Sequence, residues 1–158
     1  MWTTMLTLVS TVTTYDLLVI GGGSAGLTAA KFATTFDKTV AIVEKAKLGG
    51  DCTWTGCVPS KTLLAAANAA HAARTAHRFG IETTVDVDYQ RVRKRVADTI
   101  QKIYDEDDSP EALSKQKIDT IEGEASFVDA RTLSVVGADG TRRTLVAKDG
   151  IVIGTGAS

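Results

Sequence analysis

Six residues, GGGSAG from Gly21 to Gly26, constrain this chain more than any others. The apolar run YDLLVI (Tyr15 to Ile20) leads into them, and residues suited to a helix follow from Ser24 to about Phe36, with Leu27, Ala30, Phe32 and Ala33 available to face a sheet. At a strand-to-helix junction, Gly21 permits a tight turn, Gly23 lets backbone amides approach a diphosphate, and Gly26 allows close packing of helix on strand. The helix start adds partial positive charge toward phosphates. KTVAIVE then reads as a second buried strand ending at Glu44, eighteen residues past Gly26, where a carboxylate binds ribose hydroxyls. A strand-turn-helix-strand unit implies a parallel sheet and an α/β, Rossmann-like fold. The motif alone does not separate FAD from NAD.

Further along, an alanine-rich helix is predicted from Pro59 to about Phe79, stopped by Gly80. A second runs from about Asp88 to Tyr104, with Tyr89, Val92, Val96, Ile100 and Ile103 at helical spacing. Its basic cluster (Arg91, Arg93, Lys94, Arg95) reads as a solvated face. DEDDSPEAL is a linker into a short helix capped by Ser109, with Pro110 as its first residue. From Ile118 the pattern changes to strands, with turn signals at Asp129-Ala130, Asp139-Gly140 and Asp149-Gly150. These predict a small antiparallel meander followed by one more buried strand.

Both cysteines of the chain, Cys52 and Cys57, fall in GGDCTWTGCVPSK, Gly49 to Lys61. On a regular helix five residues advance about 7.5 Å and turn about 500°, so the side chains diverge. A disulfide needs Cα atoms within about 4.4–6.8 Å, hence a distorted turn, for which Gly49, Gly50 and Gly56 supply freedom. So small a ring stabilises by only about 2 kcal/mol, which suits a reducible bond better than a staple. The field of the helix starting near Pro59 is expected to lower the pKa of Cys57, with Lys61 adding positive charge. Two ordinary thiols or a metal clip are the alternatives. The clip lacks further ligands, because His71 and His77 face different directions on one helix.

The net charge of −1, from 18 Lys+Arg and 19 Asp+Glu, gives no reason to expect a nucleic acid or an anionic membrane as partner. No apolar run approaches the roughly 20 residues that span a bilayer. Residues 1–14 carry no charge and match neither a secretory nor an organellar signal, so they read as a disordered leader and a cytoplasmic location is expected.

Taken together, GGGSAG, VEK, GGDCTWTGCVPSK and the closing GIVIGTGAS resemble the FAD domain of the class I pyridine nucleotide-disulfide oxidoreductases, a family that includes glutathione reductase, dihydrolipoamide dehydrogenase and mercuric reductase. The resemblance covers nearly everything after Tyr15. It implies that Cys52 is the interchange thiol, that Cys57 lies against the flavin as the charge-transfer thiolate, and that Lys61 sits near the flavin N5. It further implies that Gly21, Gly23, Ser24, Ala25, Gly26, Glu44 and Gly50 hold the adenosine diphosphate, with Asp51 close by. Ala125 would offer backbone contacts toward the adenine, and Thr155 and Gly156 would touch FAD from the last loop. Asp51 stands where relatives commonly carry threonine, and TWT replaces a more usual triplet between the cysteines.

By the same resemblance, residues 15–158 are the N-terminal part of an FAD-binding domain, without NAD(P)-binding and dimerisation domains. The parent enzyme is then a homodimer that passes electrons from NAD(P)H through FAD and the cysteine pair to a disulfide or metal-ion substrate. CVPSK leans toward mercuric reductase-like proteins, with dihydrolipoamide dehydrogenase second. A non-catalytic flavin-binding fragment is the alternative.

Overall fold

The computed structural model describes residues 12–157. β1 (Val12–Ile20) is followed by α1 (Ser24–Thr34) and β2 (Val40–Glu44), the strand-turn-helix-strand unit the glycine motif requires. A short helix, α2 (Gly50–Trp54), carries Cys52, and α3 (Cys57–Arg74) starts at the second cysteine. A 3₁₀ turn (Ala76–Phe79) ends at Gly80, whose φ of +75° stops the helix. α4 (Tyr89–Ile103) is capped by the Asp88 carboxylate, which accepts from the amides of Gln90 and Arg91 at 3.0 and 3.1 Å. It runs into a π turn at Tyr104–Asp108, and Ser109 then caps α5 (Pro110–Lys115) by accepting from Ala112 N.

The strands β3 (Ile118–Glu122), β4 (Glu124–Phe127), β5 (Thr132–Val136) and β6 (Arg142–Ile153) complete one six-stranded sheet of order β3-β2-β1-β6-β5-β4. β3, β2, β1 and β6 are parallel, and β4 to β6 form an antiparallel meander. In β2, Val40, Ala41, Ile42 and Val43 are all buried, because side chains alternate and both faces are covered. Val40 and Ile42 join Val19, Leu27, Ala30, Leu113 and Ile118 on the face covered by α1 and α5. Ala41 and Val43 join Leu18, Leu133, Val135 and Leu145 on the face covered by the meander.

Four expectations change. The run from Ile118 to Val128 is two strands: the N–H of Gly123 bonds the carbonyl of Glu44 and ends the β2–β3 ladder, so β3 stays in the parallel sheet and β4 turns away. Asp149-Gly150 is a bulge within β6 and not a turn. Tyr15 pairs with Ala147 and Leu17 with Gly150, so three β6 steps face two on β1. Ion pairs flank it, Lys148 with Asp16 at 3.1 Å and Lys38 with Asp149 at 2.8 Å. Phe32 does not face the sheet; it is exposed and meets Phe36 edge-on, 5.1 Å between ring centroids. Of the expected leader, residues 1–11 lie outside the described residues, whereas Val12 to Thr14 open β1 and pair with Thr144 to Val146. Among the described residues no helix is long and apolar enough to cross a membrane.

Candidate functional site

The carboxyl ends of β1, β2 and β6 lie side by side, and the loops leaving them build the site, as expected for an open parallel sheet. Gly21 leaves β1 at φ +98°, a conformation side chains disfavour, and a Cβ there would overlap the carbonyl of Gly154. A Cβ on Gly26 would overlap the carbonyl of Gly21, so α1 reaches its place only with glycine at that position. Gly23 and Gly50 approach so closely that a Cβ on Gly50 would lie 2.8 Å from the Cα of Gly23. The Gly49 N–H donates to the Gly22 carbonyl at 2.8 Å and ties the cysteine loop to the glycine loop. No side chain caps α1 and no acidic residue sits in its first turn, so the N–H groups of Ser24 and Ala25 open toward a ligand. This cradle of bare backbone and uncapped amides fits the diphosphate of FAD.

Glu44 ends β2 beside the cradle. Its Oε2 accepts from Gly22 N at 2.6 Å and its Oε1 from Ala46 N at 2.7 Å, which fixes the carboxylate while each oxygen keeps a lone pair for a ribose hydroxyl. It borders a cavity of about 280 Å³ lined also by Lys47, Leu48, Tyr104, Thr120 and Glu122. Thr155 and Gly156 lie in the loop after β6, with the Cα of Thr155 about 3.1 Å from where a Gly21 Cβ would stand. Ala125 sits in β4 opposite Val135, outside the lining of that cavity.

The two cysteines are free thiols, Cys52 half-buried on α2 and Cys57 exposed as the first residue of α3. Cys57 and the Ser24 hydroxyl at the start of α1 are near enough to Cys52 to influence its ionisation. The bond from Cys57, with help from Ser24 and Lys61, holds the Cys52 thiol below its ordinary range. Cys57 is pushed up by its bond to Cys52 and by the charge there, against the opposing pull of Lys61. The expected lowering at Cys57 by the α3 N-terminus is therefore offset by its neighbour. The α3 N-terminus does fall on Cys57, and its half charge there is opposed by any negative charge on the neighbouring Cys52. Asp51 stands exposed in the first turn of α2, and Lys61 is exposed on α3.

Several contacts around α2 have no signal in the sequence. Thr53 is its buried residue, and its hydroxyl donates to Oδ2 of the buried Asp108 at 2.7 Å. Lys31 on α1 stands 3.8 Å from Oδ1 of the same carboxylate and donates to the Asp107 carbonyl at 3.0 Å. Trp54 donates from Nε1 to the Leu48 carbonyl at 2.8 Å and meets Tyr104 with ring centroids 5.1 Å apart. The Lys47 ammonium sits 2.9 Å from the Trp54 ring centroid. Asp108 falls in a run of acidic residues that reads as a solvated linker, so nothing marks it as buried before the fold is known.

Comparison with known proteins adds to this geometry. A family model described as pyridine nucleotide-disulphide oxidoreductase matches residues 15–158. The chain is 37% identical over 139 residues to a dihydrolipoyl dehydrogenase of Geobacillus stearothermophilus, covering 87% of this chain and 29% of that protein. It is 34% identical over 135 residues to a mercuric reductase of Lysinibacillus sphaericus, covering 84% and 24%. Among solved structures it is similar to the Cu(II) complex of the HOCl-induced flavoprotein disulfide reductase RclA from Escherichia coli, with a TM-score of 0.69, 27% identity, and coverage of 92% and 29%. The chain thus spans less than a third of the length of these relatives.

Proposed function

The chain belongs to the pyridine nucleotide-disulphide oxidoreductase family, and from that membership we propose that residues 15–158 form the N-terminal part of the FAD-binding domain of a disulfide oxidoreductase. The family is FAD-dependent and takes electrons from NAD(P)H. In the proposed enzyme, a homodimer, Cys52 and Cys57 carry those electrons to a small disulfide or a metal ion. The nicotinamide site and the dimerisation surface are assigned to sequence outside these residues. The observation that supports the reading is the thiol pair itself, two free cysteines on the adjoining helices α2 and α3, in a loop tied to the glycine turn by the bond from Gly49 N–H to the Gly22 carbonyl.

Bound FAD supplies the two electrons that reduce the Cys52–Cys57 disulfide. With two protons the pair becomes the dithiol, and Cys57 itself, with Ser24 and Lys61, favours the thiolate on Cys52. That thiolate attacks one sulfur of a substrate disulfide, forming a mixed disulfide and releasing the first thiolate. Cys57 gives up its proton and attacks Cys52, which closes the internal bond and releases the second thiolate. The substrate gains two electrons and the pair is oxidised once. With a thiophilic metal ion the same two sulfurs are the ligands. CVPSK places mercuric reductase-like chemistry first and dihydrolipoyl dehydrogenase-like chemistry second, and relatives of both kinds support testing both.

The test is to load the chain with FAD, replace Cys52 with serine, and record the visible spectrum across pH. A long-wavelength thiolate-to-flavin band that titrates with Cys57 is the expected result. Bound flavin without that band at any pH overturns the reading of Cys57 as the flavin-facing thiol. Substrate class is then read from a panel of disulfides and Hg(II) with NADH and NADPH and the complete enzyme.

A further inference from the structure

We infer that Asp108 is a positioning residue for the thiol pair: through Thr53 it fixes the short helix that carries Cys52, and so sets that sulfur beside Ser24 and Cys57. The inference rests on the redox role proposed for the pair.

A helix of five residues cannot hold itself, since one turn fixes several dihedrals for very few hydrogen bonds. α2 has no side-chain N-cap either, so its place must come from tertiary contacts. The strongest is the bond from Thr53 to Asp108, 2.7 Å long with both residues over nine-tenths buried. A charged acceptor makes such a bond strong, and separating the two would leave a buried carboxylate short of a partner. Lys31 holds that carboxylate from the α1 side, which is also the side of Ser24. The structure is tight here: Gly49 has φ +95°, and a Cβ on it would lie 2.8 Å from the Thr53 Cβ and 3.2 Å from Asp108 Oδ2. Trp54 adds a second strut to the same π turn through Tyr104.

Thr53 directly follows Cys52, so a shift of one carries the other. Cys57 is different, because it starts a helix with no buried residue. Opening and closing the bond between the sulfurs therefore works against one fixed partner and one freer partner. Asp108 lies 56 residues from Cys52 in sequence and touches neither sulfur in this arrangement; it acts through Thr53.

The test uses the full chain and the variants Thr53→Val, Thr53→Ser and Asp108→Asn. Iodoacetamide alkylation of each cysteine is followed against pH by peptide mass spectrometry, and the disulfide is equilibrated with dithiothreitol buffers. Thr53→Val keeps the volume and removes the donor, so Cys52 is expected to move away from Ser24 and Cys57 and titrate higher. At neutral pH its alkylation then slows about threefold per unit, since thiolate is lost tenfold while the remaining thiolate is more nucleophilic. The dithiothreitol equilibrium moves by about threefold to tenfold. Asp108→Asn, which keeps an acceptor, falls between, and Thr53→Ser restores the parent curves. Should Thr53→Val fail to fold, Asp108→Asn carries the same measurement. Folded variants that lose only thermal stability, with unchanged alkylation curves and disulfide equilibrium, overturn the inference. A parent chain that forms no reversible Cys52–Cys57 disulfide overturns the redox reading instead, while the Cys52 alkylation curve still decides on Asp108.

Discussion

Strands β1, β2 and β3 all contribute fully or nearly fully buried apolar residues, whereas α3 and α4 contribute none. In β2 four consecutive residues are buried, and the sheet is covered on both faces by two separate apolar clusters. In the α3–α4 pair, Val92, Val96, Ile100 and Ile103 are half-buried, while Leu63 and Leu64 face solvent. The candidate site lies at the joint between these regions. Its glycine cradle and Glu44 belong to the sheet, Cys57 and Lys61 belong to the helix pair, and α2 with Cys52 is held to the π turn by the Thr53–Asp108 bond. The glycine cradle is thus built on the most buried part of the molecule, and Cys57 lies on a helix with no buried residue.

Substitutions graded by size test that contrast. Gly26→Val drives a branched side chain into the Gly21 carbonyl and should cost about 4 kcal/mol or more, read as loss of cooperative unfolding in urea. Ile42→Ala removes a fully buried side chain from the helix-covered face and should cost about 3 kcal/mol in the same measurement. Asp88→Ala removes the cap of α4 and should cost about 1 kcal/mol, seen first as faster amide exchange at Gln90 and Arg91. Leu63→Ala on exposed α3 should cost no more than about 0.5 kcal/mol. A Leu63 effect as large as that of Ile42 would erase the distinction between the regions.

A pH titration sharpens the sheet side. Burial, together with a hydrogen bond to Asp119 at 2.9 Å, pushes the Tyr15 phenol up from 10 to about 12. The folded state holds this proton more tightly than the unfolded chain. The stabilisation is therefore complete below pH 10 and is lost as the pH rises through about 12. Ultraviolet titration should show one tyrosine ionising late, and Asp119→Asn should bring that step to lower pH.

Much of this arrangement was legible from local pattern. The Gly21, Gly23 and Gly26 spacing after YDLLVI led to the cradle, and Ser109-Pro110 marked the start of α5. The unbroken apolar run in β2 led to a strand covered on both faces. What local pattern missed depends on neighbours distant in sequence. Asp149-Gly150 has the composition of a turn, yet β1 alongside supplies a continuous parallel ladder and leaves only a bulge. Phe32 lies at a position the helical period offers to the sheet, but the apolar face of α1 is filled by Gly26, Leu27 and Ala30. Cys57 stands at a helix start that favours its thiolate, but the fold sets Cys52 near it and opposes that effect.

The sequence by itself determined the parallel strand-helix-strand unit, the glycine turn and the capped start of α5. Each follows from backbone sterics or from residues within a few positions of one another. Only the tertiary structure decided that Thr53, beside Cys52, donates to a buried Asp108 and that Lys31 of α1 stands by the same carboxylate. Those depend on charges and hydrogen bonds between segments that local chemistry cannot bring together, and on a burial that turns an acidic residue of apparent linker into a fixed acceptor.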